Sequence, residues 1–143
     1  MKRRLSLLAM LLASTGSLPV TAGALPLDQQ FAERITSTKA SMMSNPEIAL
    51  VNARAAGALA ESLPAGKGAI ARATSEWLQG EALTRLGKPT EAAPIVAGAL
   101  ATVARLEPYS KLHGDLLRST ASIAAKTGKV QTALITLHQA FAI

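Results

Sequence analysis

From Leu27 onward, apolar residues recur at three- and four-residue spacing, and successive runs are separated by proline, glycine or asparagine. That punctuation constrains the fold more than any other feature. A 3.6-residue period stacks apolar side chains on one face of a helix, and short turns force neighbouring helices to run antiparallel. No segment alternates apolar and polar residues with β-branched side chains, and no Asn-Gly or Asp-Gly turn occurs. The chain is expected to be all-α, built of antiparallel helical hairpins. Its 143 residues suffice for one domain.

Six helices are expected. The first covers about Leu27 to Met43, with Phe31, Ile35, Thr38 and Met42 on one face. Asn45-Pro46-Glu47 supplies an N-cap, a proline at the first helical position and an acid in the first turn of the second. Its buried stripe is Ile48, Ala49, Ala53, Ala56, Leu59 and Ala60, and Pro64 to Gly68 ends it. The third runs from Ile70 to Leu86, with Ile70, Ala73, Trp77, Gly80 and Leu83 facing one way. Gly87 stops it as a left-handed cap. Pro89-Thr90-Glu91 starts the fourth, with Pro94 expected in its first turn and Leu106 closing its apolar side before Pro108. The fifth covers Ser110 to Lys126, Gly128 caps it, and the sixth begins at Val130. The hairpins are therefore 27–63, 69–107 and 110–143.

Residues 1–24 resemble a secretory signal peptide. Lys2, Arg3 and Arg4 precede a short apolar run, Leu5 to Ala13, and a small-residue cleavage site, Ala22-Gly23-Ala24. The run is too short and interrupted for a membrane span, so no integral membrane segment is expected once it is removed. Residues 25–143 form the expected mature domain, exported and periplasmic in a Gram-negative bacterium. The leader's three basic residues account for half of the net charge of +6. The remaining basic residues are scattered singly, and aromatics make up 3% of the chain, which argues against a nucleic-acid surface. With no cysteine there is neither a disulfide nor a lipid attachment site, and stability must come from apolar packing.

An internal repeat runs through the last four helices. An offset of 41 places Gly87 on Gly128, Gly80 on Ala121, Ala92 on Ala133, Val96 on Leu137 and Ala99 on Ala140. The pattern Gly80-x2-Leu83-x3-Gly87-x4-Ala92-x3-Val96-x2-Ala99 resembles the tetratricopeptide repeat, and Ala121-x2-Ala124-x3-Gly128-x4-Ala133-x3-Leu137-x2-Ala140 is similar. Small residues at the crossing let two helix axes approach closely, and glycine supplies positive φ in the turn. The tetratricopeptide period is 34 residues, so 41 adds about two helical turns or a longer connection. The resemblance implies a short solenoid whose concave groove binds a protein or peptide. Carried onto the matching positions, it implicates Glu81, Thr84 and Arg85 from one repeat and Arg118, Ser122 and Lys126 from the next. These form a mildly cationic patch suited to an acidic segment or a terminal carboxylate. The leader together with the stretch Trp77 to Gly87 also resembles the periplasmic sensory region of certain bacterial diguanylate cyclases and histidine kinases.

No chemistry-bearing motif stands up. Ala65-Gly66-Lys67-Gly68 lacks the leading glycine and the following Ser or Thr of a phosphate loop and reads as an interhelical loop. Lys126-Thr127-Gly128 reads as a helix end, cation before cap. His113 and His138 lie apart without cysteines, so no metal site is expected; no cofactor is implied, and no catalytic set is arguable. Trp77 is expected in the core. The expected function is a non-enzymatic interaction module, sensor or scaffold. The alternative is the sensory fragment of a signalling enzyme whose catalytic domain is not in this chain. Finally, apolar residues surround the sixth helix. The chain is therefore expected to be an unfinished solenoid, with that helix covered by further repeats of a longer chain, by self-association or by a partner.

Overall fold

The computed structural model describes residues 24–143; the leader sequence lies outside the described residues. Six helices follow one another: α1 (Leu27–Ser41), α2 (Pro46–Glu61), α3 (Ala65–Arg85), α4 (Pro89–Leu106), α5 (Lys111–Lys126) and α6 (Val130–Phe141). No strand occurs among the described residues. Each helix packs on the next. Contacts also join α1 to α3 and α3 to α5, whereas α2 and α4 do not meet, nor do α4 and α6. The odd helices thus lie closer together than the even ones. Such a stack curves toward its odd layer, which becomes the concave face.

Local chemistry sets the helix ends. The Asn45 side chain accepts from the Ile48 N–H at 3.0 Å, and Ser110 accepts from the His113 N–H at 3.2 Å. Each satisfies a donor that the first turn leaves unpaired. Gly87 (φ 74°) and Gly128 (φ 78°) are both left-handed, and their turns match bond for bond. Lys88 N–H donates to Leu83 O at 2.9 Å and Gly87 N–H to Thr84 O at 3.3 Å. One period later, Lys129 N–H donates to Ala124 O at 2.8 Å and Gly128 N–H to Ala125 O at 3.2 Å. This is the Schellman arrangement, repeated at the 41-residue offset.

The core is made largely of small residues. Ala49, Ala53, Ala56, Ala60, Ala92 and Ala99 are fully buried, and Leu83, Val96, Val103 and Leu116 fill the space between α3, α4 and α5. Alanine stripes allow axes to approach to about 8 Å, so packing rests on close contact rather than on large side chains.

Several expectations need correction. The stretch 65–68 is the first turn of α3, not a loop. Pro64 takes the N-cap position, and the Lys67 and Gly68 N–H groups both donate to Pro64 O at 2.8 Å. Gly68 is needed there because a Cβ would stand 3.0 Å from Ala60 O. Pro94 lies inside α4 rather than in its first turn; it is exposed, so the Thr90 carbonyl left without a partner faces water. Ile48 and Leu106 face solvent. Leu137, expected to be buried like Val96, is 37% exposed, while Ala133 and Thr136 carry the contact with α5. The cause is topological: α5 covers the far side of α4, and no helix covers that side of α6.

Candidate interaction surface

The concave face is built where α1, α3 and α5 adjoin. On α3, Lys67, Ile70, Thr74, Trp77, Glu81 and Arg85 follow helical spacing along the side facing away from α2 and α4. Trp77 is half-buried and holds the three odd helices together. Its indole N–H donates to Ser119 Oγ of α5 at 3.0 Å, and the Lys39 ammonium of α1 lies 5.9 Å from its ring centroid. A cation over an indole face at that distance is an attractive contact. The Ser119 hydroxyl in turn donates to a Glu81 carboxylate oxygen, whose other oxygen accepts from Arg85 at 2.6 Å. Ser119 is buried, so this chain of polar groups crosses the floor between α3 and α5 fully satisfied.

Beside it, Asp115 is a buried carboxylate, 5% exposed in its side chain, bound by Lys111 Nζ at 2.6 Å and by Arg118. The two cations are 87% and 63% exposed. The negative group therefore sits beneath the surface and the positive heads project from it. Ser122 and Lys126 continue the same exposed side of α5. Between α1 and α3, Asp28, Phe31, Lys67, Ile70 and Thr74, with Glu107, line a groove of about 330 Å3.

Of the residues implicated by the repeat resemblance, Glu81 and Arg85 on α3 and Arg118, Ser122 and Lys126 on α5 share this face. Thr84 does not: it is 9% exposed, turned into the core, and its hydroxyl donates to Gly80 O at 2.7 Å. Conversely, Lys39, Trp77, Lys111, Asp115 and Ser119 belong to the surface and were not expected there. Trp77 reads as a core residue from its spacing, and half of it is. A signal was available in the period, since Lys39 to Trp77 and Trp77 to Ser119 are each close to one repeat apart. The repeat positions themselves behave as packing residues. Gly80, Leu83, Ala92, Val96, Ala99, Ala121, Ala124 and Ala133 are buried, and Ala140 is half-buried.

Among the described residues no group of acidic or histidine side chains could hold a metal, and no helix is long and apolar enough to cross a membrane. No protein-family model matches the sequence, and no curated protein does. The architecture does have a counterpart among solved structures. The crystal structure of the tetratricopeptide-repeat domain of Arabidopsis FLU superposes with a TM-score of 0.69 over 82% of this chain and 96% of that one, at 22% identity. Six helices, nearest-neighbour packing, a concave odd layer and paired glycine turns at one offset all agree with that likeness. The chain has the fold of a tetratricopeptide-repeat domain.

Proposed function

We propose that this chain is a non-enzymatic interaction module whose concave face holds an acidic peptide segment or a terminal carboxylate of a protein partner. The observation that carries the reading is the placement of charge on that face. Lys39, Arg85, Lys111, Arg118 and Lys126 present their cationic heads around a half-buried Trp77, while Asp115 and Glu81 lie underneath and orient them. Arginine forks match carboxylates in two-point geometry, and the indole offers an apolar platform for a neighbouring side chain. An interaction module is also the use to which a tetratricopeptide fold is suited.

Trp77 is the chain's one tryptophan, so its emission reports on this face. Acidic peptides with free carboxyl ends should shift that emission, more weakly as salt rises. Arg118→Ala and Lys126→Ala should each weaken binding roughly five-fold, about 1 kcal/mol for an exposed charge pair. Equal response to acidic and basic peptides, or no effect of either substitution, defeats the reading.

Export is part of the proposal, supported by Lys2 to Arg4 and the apolar run Leu5 to Ala13. The mature form should begin at or near Leu25, with a periplasmic location in a Gram-negative host. An intact mass retaining Met1 in periplasmic material counts against it. A sensory role ahead of a cyclase or kinase domain is the alternative, supported by the leader and the stretch Trp77 to Gly87. A reading frame continuing past Ile143 into such a domain decides for it.

A further inference from the structure

We propose that α6 is a self-association surface that pairs antiparallel with α6 of a second copy of this chain; this is independent of the reading of the concave face. Val130, Leu134, Leu137 and Phe141 succeed one another at spacings of four, three and four, the rhythm of a two-helix seam. They are 60%, 58%, 37% and 81% exposed. The internal repeat shows what such a face does elsewhere in the molecule. One 41-residue period earlier, Ala93, Val96 and Leu100 of α4 occupy the positions of Leu134, Leu137 and Phe141, and they pack in one cluster with Leu116 and Ile123 of α5. α4 thus has a helix laid along this side. α6 packs on α5 alone, and its corresponding side is open.

Two properties select a second copy as the occupant. Antiparallel pairing is self-complementary here, setting Val130 against Phe141 at both ends and Leu134 against Leu137 at both central positions, as a two-fold contact requires. In addition, no Asp, Glu, Lys or Arg lies between Val130 and Ile143, so two copies meet without like-charge repulsion or a stranded ion. Head-to-tail stacking lacks this match. The opposite end of the stack is flanked by Gln30, Glu33, Arg34 and Ser37, with Arg34 donating to Asn52 at 3.2 Å. Seating the seam there strips water from two charges and offers them nothing. A helix of 12 residues is about 18 Å long, so the contact is at the low end of specific interfaces. A dissociation constant on the order of 10 µM or weaker is expected.

Sedimentation of the chain, in the form the cell accumulates, should show a monomer–dimer equilibrium across that concentration. Leu134→Glu and Phe141→Ser should each weaken it about ten-fold or more with the helical circular dichroism unchanged. Val51→Glu, on an exposed side of α2, should leave it intact. The chain has no cysteine, so an equal mixture of Val130→Cys and Phe141→Cys proteins can be oxidised cleanly, and the disulfide-linked heterodimer should dominate over either homodimer. A monomer at every concentration, a dimer indifferent to both α6 substitutions, or preferential homodimer cross-linking overturns the proposal.

Discussion

Gly80→Ala puts the packing of the central hairpin to a quantitative test. A Cβ built on Gly80 would stand 2.1 Å from Val96 Cγ2, whereas carbons in contact sit about 3.5–4.0 Å apart. Val96 is β-branched and 1% exposed, so it has few rotamers and no free space in which to use them. Either α3 and α4 separate by more than an ångström or Val96 leaves its well, and both disturb the cluster that includes Leu83, Ala99 and Leu116. Overpacking of this kind costs about 1–3 kcal/mol, and the depth of the overlap places it at the upper end. Alanine's better helix propensity returns about 1 kcal/mol. The net expectation is a loss of about 2 kcal/mol, a fall in Tm of roughly 6–10 °C for a domain of this size. Urea unfolding followed by far-ultraviolet circular dichroism measures it. In a Val96→Ala background the clash is gone, and the same substitution should be neutral or stabilising. If Gly80→Ala stabilises the parent chain, or costs as much in both backgrounds, the close approach of α3 and α4 is wrong.

Three further outcomes are expected. Gly87→Ala and Gly128→Ala should each lose about 1 kcal/mol with helix content preserved, because nothing lies within 4 Å of the added Cβ and only the positive φ is penalised; a neutral Tm contradicts this. Asn45→Ala should cost about 1 kcal/mol by removing the acceptor for Ile48 N–H, measured by the same urea unfolding. Burial raises the Glu76 pKa above the ordinary carboxylate value, with Arg72 partly opposing it. An acid whose folded pKa is raised penalises the fold when ionised. Glu76→Gln should therefore stabilise near neutral pH, and the gain should fade as pH falls through the folded pKa and below the ordinary carboxylate range. A gain that is the same at acid and neutral pH removes ionisation as its cause.

The features legible in the sequence are those set within a few residues. Asn45-Pro46, Ser110, Gly87 and Gly128 act on their own turns, and the structure uses each as its local chemistry dictates. The 41-residue offset was legible too, because Gly80, Ala92 and Ala99 stay small where helices cross. The start of α3 was not. Pro64, Gly66 and Gly68 are ordinary loop residues by composition, and only the approach of Gly68 to Ala60 O gives that glycine a helical reason. Nor was the polar floor around Trp77 legible, since the Trp77–Ser119 bond depends on how α3 and α5 adjoin across an intervening helix. Leu137 shows the same limit in reverse. Its repeat position predicts burial, but burial of that position in α4 depends on the following helix.

The longer period has a structural location, and it bears on recognition. Connections between helices remain three or four residues long, so the residues beyond a 34-residue repeat lie within helices: α3 has 21 residues and α4 has 18. At the start of α3 the added turn brings Gly66, Lys67 and Ile70 alongside Asp28 and Phe31 of α1, and Glu107 just past the end of α4 completes the groove. A shorter repeat has no wall there. The concave face consequently has two unlike regions, a cationic field over α3 and α5 and, beyond Trp77, a groove where apolar Phe31 and Ile70 stand among single charges. On the proposed reading these divide the work. The field attracts any acidic segment, because exposed charges act at a distance and tolerate variation in geometry. The groove discriminates, because an apolar side chain must fit between α1 and α3 to gain the burial it offers. Affinity for acid is then the general property of this face, and the apolar residue accompanying the acid is what separates one partner from another.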